Sequence, residues 1–470
     1  MHKRSCGLTG DELTDTSARH ATGASSAAES KNVGQTNVGA KNVGANTDDA
    51  HTCNVALLGF GTVGSSVARI LCERANTHLR LTHVLNRNVA RKKVDWLPSS
   101  VQWTENIDDV LSSDVDIVVE VMGGLQPTED WIRRALGSGK SVVTANKQLI
   151  ARCGPDLISL ARRMKQQIEF GASVAGGVPV ISGLHEGLAG DELFKICGIL
   201  NGTCNYILSQ IETNGVPFAT ALREAQKLGF AEADPTEDIE GLDARAKLTI
   251  LARVGLHCNV KAESIVARSI AAIDSVDFEY ANQLGCTIRQ ISWAELKTDS
   301  KGDDLFAAVQ PALVELSSPL ARVEGSRNLV MATGTYGGET VFGGHGAGGH
   351  PTAVAVVSDI LAIARSKQSG ISYSPQPVAK TPTVTADFTT KHYLRFLVKD
   401  RPGIIANLAT ILSQCGINID AVVQKPGCPK SHLPFLITLE ECKASLVEQA
   451  LQQINSLDFL VQPCLHLPIL

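Results

Sequence analysis

The stretch CNVALLGFGTVGSSVARIL, residues 53–71, decides the fold. Four apolar residues, Val55 to Leu58, run into Gly59-Phe60-Gly61-Thr62-Val63-Gly64, after which Val63, Val67, Ile70 and Leu71 recur at helical spacing. That is a buried strand, a glycine turn and a helix. Glycine in those places permits a tight turn and lets a pyrophosphate approach the helix N-terminus, where unpaired N–H groups and the helix dipole favour anions. A GxGxxG pattern alone is weak. Here it follows a strand, opens a helix and precedes another strand, LRLTHVLNRN, and that context gives it meaning.

Working outward, DVDIVVEVMGG precedes a helix opened by Pro127-Thr128, and KSVVTANKQ supplies a further strand. Strands alternating with helices predict an α/β, Rossmann-type parallel sheet, a dinucleotide-binding domain over residues 51–179. An NAD site places an acid at the end of the second strand, about 20 residues past the glycines. This chain has Asn86-Arg87-Asn88 there. Arg87 would hold a 2′-phosphate that a carboxylate would repel, so NADP is the expected cofactor, with NAD possible. The competing reading is a solvated basic turn.

The remaining chain divides by composition. Residues 1–50 are rich in Ser, Thr, Ala, Gly and Asn and repeat Asn-Val-Gly every five residues, a period of neither helix nor strand, so a disordered tail is expected. Residues 180–342 mix longer runs of helix and strand, as a second, α+β domain would for substrate binding and dimerisation. Residues 343–366 read as a glycine-rich loop and helix, and residues 367–388 as a linker. Residues 389–470 form a compact βαββαβ unit.

With 44% hydrophobic residues, a sizeable core can be buried. A net charge of −5 leaves no footprint for nucleic acid or an anionic membrane. Twelve scattered cysteines without a CxxC pair read as reduced thiols, and the first residues lack the apolar core of a secretory signal. A cytoplasmic protein is expected.

The chemistry gathers at residues 231–257. Six carboxylates fall within Ala231–Asp243, and Lys247 follows. Asp243 and Lys247 are four apart, so on a helix they share a face, while Leu248, Leu251, Ala252 and Gly255 fall on another. Glu232, Asp234, Asp238 and Asp243 could bind a cationic or hydroxylated small molecule. A solvated acidic loop before a surface helix explains the residue types equally well.

The stretch AQKLGFAEADPTEDIEGLDARAK, residues 225–247, resembles the signature of the homoserine dehydrogenases. GFGTVG, VVEVMGG, VVTANKQLIA, ASVAGGVPVI, GILNGTCNYIL and GAGGHPTAVAVVSDI stand in the family's order, and the likeness covers residues 53–470, with a C-terminal part similar to an ACT domain. It implies NAD(P)-dependent interconversion of L-homoserine and L-aspartate 4-semialdehyde, in threonine, isoleucine and methionine biosynthesis. Lys247 would be the proton donor and acceptor, and Lys147 would lie between nicotinamide and substrate. Glu232, Asp238 and Asp243, with Gly229, Gly202 and Thr203, would hold the substrate. Gly59, Phe60, Gly61, Thr62, Val63, Gly64, Arg87, Gly123, Thr144, Asn146, Lys147, Gly344 and Gly346 would hold the cofactor. The resemblance also brings the glycine-rich loop back to the nucleotide domain.

The developing alkoxide needs a nearby proton or cation, and two lysines are of the right type. A lysine serving as base at neutral pH must have its pKa lowered, which the surrounding acids oppose, so a relayed water is expected to share that task.

The family binds a monovalent cation, Na or K, through a glutamate and backbone carbonyls before GGxP. Val174, Gly176 and Val178 match the carbonyl positions, but Gly171 replaces the glutamate, and Glu169 stands two residues away. In the C-terminal unit the turn Asp400-Arg401-Pro402-Gly403 and Asn418-Ile419 would flank an effector, L-threonine, at an interface between paired domains. The competing reading there is a dimerisation module without ligand. A homodimer or homotetramer is expected. From another class, a non-catalytic amino-acid sensor on a degenerate scaffold is the alternative, opposed by the presence of Lys147, Glu232, Asp243 and Lys247.

Overall fold

The computed structural model describes residues 52–74, 78–299, 302–369 and 379–470, so the expected disordered tail lies outside the described residues. The nucleotide-binding part is a six-stranded parallel sheet: β1 (Cys53–Leu58), β2 (Leu79–Leu85), β3 (Gln102–Thr104), β4 (Ile117–Glu120), β5 (Ser141–Thr144) and β6 (Ile168–Glu169). Its order, β3-β2-β1-β4-β5-β6, reverses direction between β1 and β4, where such sheets open a crevice for ligands. β1 is buried throughout, and apolar but for Asn54, because both its faces are covered. Val55 and Leu57 pack with Val67 and Leu71 and with Val356, Val357 and Ile360 of the Gly349–Ser369 helix. Ala56 and Leu58 face the opposite layer, with Leu149 and Ile150 of the Lys147–Arg163 helix and Leu248 and Leu251 of the Leu242–Gly255 helix.

Gly349 lets the chain return to the nucleotide sheet: a Cβ there would lie 2.9 Å from both Thr62 Cγ2 and Ser66 Oγ. The stretch before it differs from the expected loop. Gly343, Gly344 and His345 belong to a strand and pair with Leu329, Asn328 and Arg327, because an edge strand tolerates side-chain-free positions where a neighbour, here Val178, comes close.

The second sheet holds β7 (Leu193–Ile199), β8 (Val266–Ala267), β9 (Cys286–Asp299), β10 (Gly302–Glu315), β11 (Arg327–Gly334), β12 (Gly338–His345) and β13 (Thr383–Thr385). β13 falls inside the expected linker, where the β-branched run TVT pairs in parallel with β10. The C-terminal unit supplies β14 (Thr389–Val398), β15 (Ile419–Gln424), β16 (Leu433–Lys443) and β17 (Leu465–Ile469), with helices Ile404–Gln414 and Ala444–Ile454, in the expected βαββαβ order. Its sheet continues the second sheet through β17, where Ile469 pairs with Leu313 of β10 and Leu470 N donates to Leu313 O at 2.9 Å.

A buried ion pair ties the C-terminal unit to the rest. Asp277 is 0% exposed and accepts from Tyr393 Oη (2.7 Å), Arg395 Nε (2.9 Å), Arg395 Nη2 (3.1 Å) and the backbone N–H of Asp274 (2.9 Å). Asp277→Ala leaves Arg395 charged and buried without its partner. It is expected to cost about 3–5 kcal/mol in urea denaturation, against about 1 kcal/mol for Tyr393→Phe. Equal losses would contradict the central role of the charge.

Candidate active site

The glycines of the first turn differ in what surrounds them. Gly59 takes φ +102°, a Cβ on Gly64 would lie 2.2 Å from Gly59 O, and a Cβ on Gly61 would meet open space. Gly61 caps the Thr62–Glu73 helix without a side-chain hydrogen bond, so first-turn N–H groups remain for an anion. Phe60 points away from any ligand: it is 4% exposed and its ring packs on Trp96 and Trp103. Val63 is partly buried in the same core. Arg87 is exposed just past β2. These residues fit a dinucleotide.

At the ends of β4 and β5 stands a group that the sequence reading missed. Glu120 is 0% exposed; its Oε1 accepts from Met122 N (2.8 Å) and Gly123 N (3.0 Å), and its Oε2 from Thr144 Oγ1 (2.6 Å). Burial raises its pKa despite those bonds. Thr144 Oγ1 accepts from Asn146 N (3.0 Å), and Asn146 caps the Lys147–Arg163 helix through Leu149 N (3.1 Å) while donating to Gly124 O (2.6 Å). Gly123, Thr144 and Asn146 thus form a frame that sets the position of Lys147. The one available signal was an acid closing an apolar strand.

Lys147 and Lys247 meet on one carboxylate. Lys247 Nζ lies 2.7 Å from Asp243 Oδ2, and Lys147 Nζ is ion-paired with Asp243 Oδ1. Lys247 also donates to Leu200 O at 2.7 Å. Asn201, which caps the Gly202–Asn214 helix, donates to Asp243 Oδ2 (2.9 Å) and Asp238 Oδ1 (2.6 Å). Asp243 is 4% exposed; burial pushes its carboxyl up, but Lys247 and Lys147 outweigh that and hold it well below the usual carboxylate range. Lys147 is shifted upward, since the attraction of Asp243 exceeds the effect of burial. Asp238 is raised, chiefly by burial.

Other expected substrate residues stand further out. Glu232 is exposed on the acid loop, with its backbone carbonyl accepting from Gln226. Thr203 Oγ1 donates to Phe230 O at 2.7 Å, Gly229 takes φ +78°, and a Cβ on Gly202 would lie 2.6 Å from Ser326 O. Cys204 is buried and its thiol donates to Asp238 O at 3.1 Å.

Gly344 lies in β12, and Gly346 packs against Asn328 and the 175–177 turn, with Gly346 O only 2.6 Å from where a Cβ on Gly176 would sit.

That turn suits the implied cation poorly. Val178 O already accepts from Val180 N at 2.8 Å. The backbone N–H of Gly171, in the glutamate's place, donates to Asp359 Oδ2 at 2.8 Å. No group of three or more metal-ligating side chains occurs among the described residues. The turn presents neutral donors only.

The sequence comparisons agree on one family. Residues 59–171 match the profile described as homoserine dehydrogenase, NAD binding domain, residues 179–361 that of homoserine dehydrogenase, and residues 392–459 that of the ACT domain. The homoserine dehydrogenase of Bacillus subtilis (strain 168) is 37% identical over 415 residues, 86% of this chain and 95% of the relative. That of Mycobacterium leprae (strain TN) is 41% identical over 392 residues, 80% and 87% of the two chains.

The chain belongs to the homoserine dehydrogenase family.

The solved homoserine dehydrogenase from Thiobacillus denitrificans superposes with a TM-score of 0.81 at 34% identity, covering 89% of this chain and 98% of that one. A hyperthermophilic archaeal homoserine dehydrogenase in complex with NADPH gives 0.57 at 26%, covering 67% and 98%. Like other homoserine dehydrogenases, the chain is a nicotinamide-dependent oxidoreductase of amino-acid biosynthesis, which favours catalysis over the sensor alternative.

Burial raises two further acids: Glu169 from 4.5 to about 8, with the charges of Asp359 and Glu186 adding to it, and Asp359 from 3.8 to about 7. Both line a cavity of about 300 Å³ that also borders His185, Glu186, Arg253, His257 and Arg365. An acid whose pKa is higher folded than unfolded binds its proton more tightly when folded, so stability falls as pH climbs between those values. Wild type is expected to lose thermal stability from pH 5 to pH 8. Glu169→Gln should flatten that slope and gain on the order of 1–3 kcal/mol at pH 8. A wild-type melting temperature constant across the window would contradict the raised values.

Proposed function

We propose that Lys247 and Lys147 handle the proton of homoserine oxidation and of its reverse, and that the acid loop recognises the α-amino group. The observation that carries this is one buried carboxylate, Asp243, between two ammonium groups, 2.7 Å from Lys247. When bound, the nicotinamide exchanges a hydride with the substrate carbon. In reduction, a lysine ammonium gives its proton to the oxygen that gains charge. In oxidation, a lysine amine, or a water beside it, takes the hydroxyl proton. Asp243 orients both lysines, and Asp238 and Glu232 complete the negative end of the site. Because Asp243 holds Lys147 protonated, oxidation should accelerate as pH rises towards the lysine range.

Lys247→Met, close in volume but without a transferable proton, is expected to lower kcat in both directions by about 100-fold or more. A loss below about threefold, in a variant that melts like wild type, would remove Lys247 from the proton path. Asp243→Asn should move the alkaline limb of homoserine oxidation to lower pH, since it frees Lys147 from its anion. An unmoved limb would separate Lys147 from that step.

The exposed Arg87 and the absence of an acid after β2 support NADP as the preferred cofactor, with NAD as a slower alternative. Arg87→Ala should raise KM for NADPH about tenfold or more while leaving KM for NADH nearly unchanged. Equal effects on both would dissociate Arg87 from the 2′-phosphate. Any monovalent cation at 174–178 would be held by neutral carbonyls. The ACT unit is assigned feedback control by L-threonine. The enzyme is taken to work in the cytoplasm as a homodimer or homotetramer; no described helix is long and apolar enough to cross a membrane.

A further inference from the structure

The cavity of about 300 Å³ that holds Glu169 and Asp359 lies apart from the catalytic lysines, and neither they nor Asp238, Asp243 or Glu120 line it. It opens where the Lys147–Arg163, Leu242–Gly255 and Gly349–Ser369 helices meet the end of β6. Ile150, Ile158, Ile168, Phe170, Ile181 and Ile250 give it an apolar lining.

Into that lining the fold sets carboxyl groups without cations. Glu169, the last residue of β6, makes no hydrogen bond and no ion pair among the described residues. The charges of Asp359 and Glu186 both oppose its own, and no described cation offsets them. Asp359 accepts the backbone N–H of Gly171 at 2.8 Å and likewise has no cationic partner. The arginines of the walls are spent elsewhere. Arg253 turns Nη1 to Ile150 O (2.8 Å) and Nη2 to Ala151 O (3.1 Å) and Val260 O (3.3 Å), while Arg365 is exposed. His185 and His257 complete the polar part of the lining.

A carboxylate set in an apolar wall is costly until donors or a cation meet it. A bare metal ion matches this cavity poorly. No three ligating side chains converge among the described residues, and isoleucines cannot complete a coordination sphere. An organic cation matches both parts of the lining. Its N–H groups meet the carboxylates in charge-assisted hydrogen bonds, and its hydrocarbon lies against Phe170 and the isoleucines.

We propose that this cavity is a binding site for a small organic monocation with an apolar body, an amine or an amidine, held by Glu169 and Asp359. The site is separate from the catalytic chemistry proposed above and does not rest on it. Its walls include both helices that carry the catalytic lysines, so an occupant braces those helices against each other.

The test is calorimetric titration of the full chain at pH 8 with benzamidine and with benzamide, which has the same shape and no charge. Benzamidine should bind with a Kd of about 1 mM or tighter, and benzamide about tenfold or more weakly than that. At saturation benzamidine should raise the melting temperature by about 2 °C or more beyond the effect of benzamide. Glu169→Gln keeps the shape of the cavity and removes the charge. It should weaken benzamidine about tenfold or more and bring the two probes level. Ser182→Trp and Ala362→Trp fill the cavity from exposed positions in its lining and should exclude both probes.

Wild type that binds neither probe, or binds both equally, would overturn the proposal. So would benzamidine binding that Glu169→Gln leaves intact. Binding that survives both tryptophans would place the amidine at another acidic surface, such as the loop of Glu232 and Asp234, and would overturn it as well. Titration needs no turnover, so an inactive wild type would count against the catalytic assignment alone.

Discussion

Asp243 keeps its charge in a place that exposes 4% of the residue, and two ammonium groups from different parts of the chain make this tolerable. A lone buried carboxylate would take up a proton or open its surroundings to water. Lys247 is supplied by the same helix, one turn on, and costs the fold little. Lys147 must come from the nucleotide sheet. The pairing therefore fixes the distance between the helix that Lys147 opens and the helix that carries Asp243 and Lys247.

Several contacts exist to hold that distance. Glu120, Thr144 and Asn146 set the start of the Lys147–Arg163 helix. Further along, Arg253 of the Leu242–Gly255 helix donates to Ile150 O (2.8 Å) and Ala151 O (3.1 Å), so the two lysine-bearing helices are joined beyond their shared core of Leu149, Ile150, Leu248 and Leu251. The Gly349–Ser369 helix closes the other face of the nucleotide sheet. Preorganisation of this kind lets charged groups act without rearranging during the reaction.

Much of this was legible in the sequence because it is local. The unbroken apolar run of β1, the glycine spacing after it and the helical spacing of Val63, Val67, Ile70 and Leu71 are consequences of neighbouring residues. So is the four-residue step from Asp243 to Lys247. The βαββαβ order of the last 80 or so residues was equally plain, although β17 starts only at Leu465, since Pro463 interrupts the apolar run that began at Phe459.

The sequence by itself determined the strand-turn-helix that receives a dinucleotide, the alternation that makes its sheet parallel, and the residue types of the site. Tertiary structure alone decided that Lys147 reaches Asp243, that Asn201 bridges Asp238 and Asp243, and that Glu232 stays exposed. It also decided that Gly343–His345 extend an edge strand and that the C-terminal sheet joins β10. Local pattern follows from steric limits and periodic burial, which act over a few residues. These other features are meetings of groups from 14 residues apart, as Leu329 with Gly343, to 156 apart, as Leu313 with Ile469. Their geometry exists only once the core has closed.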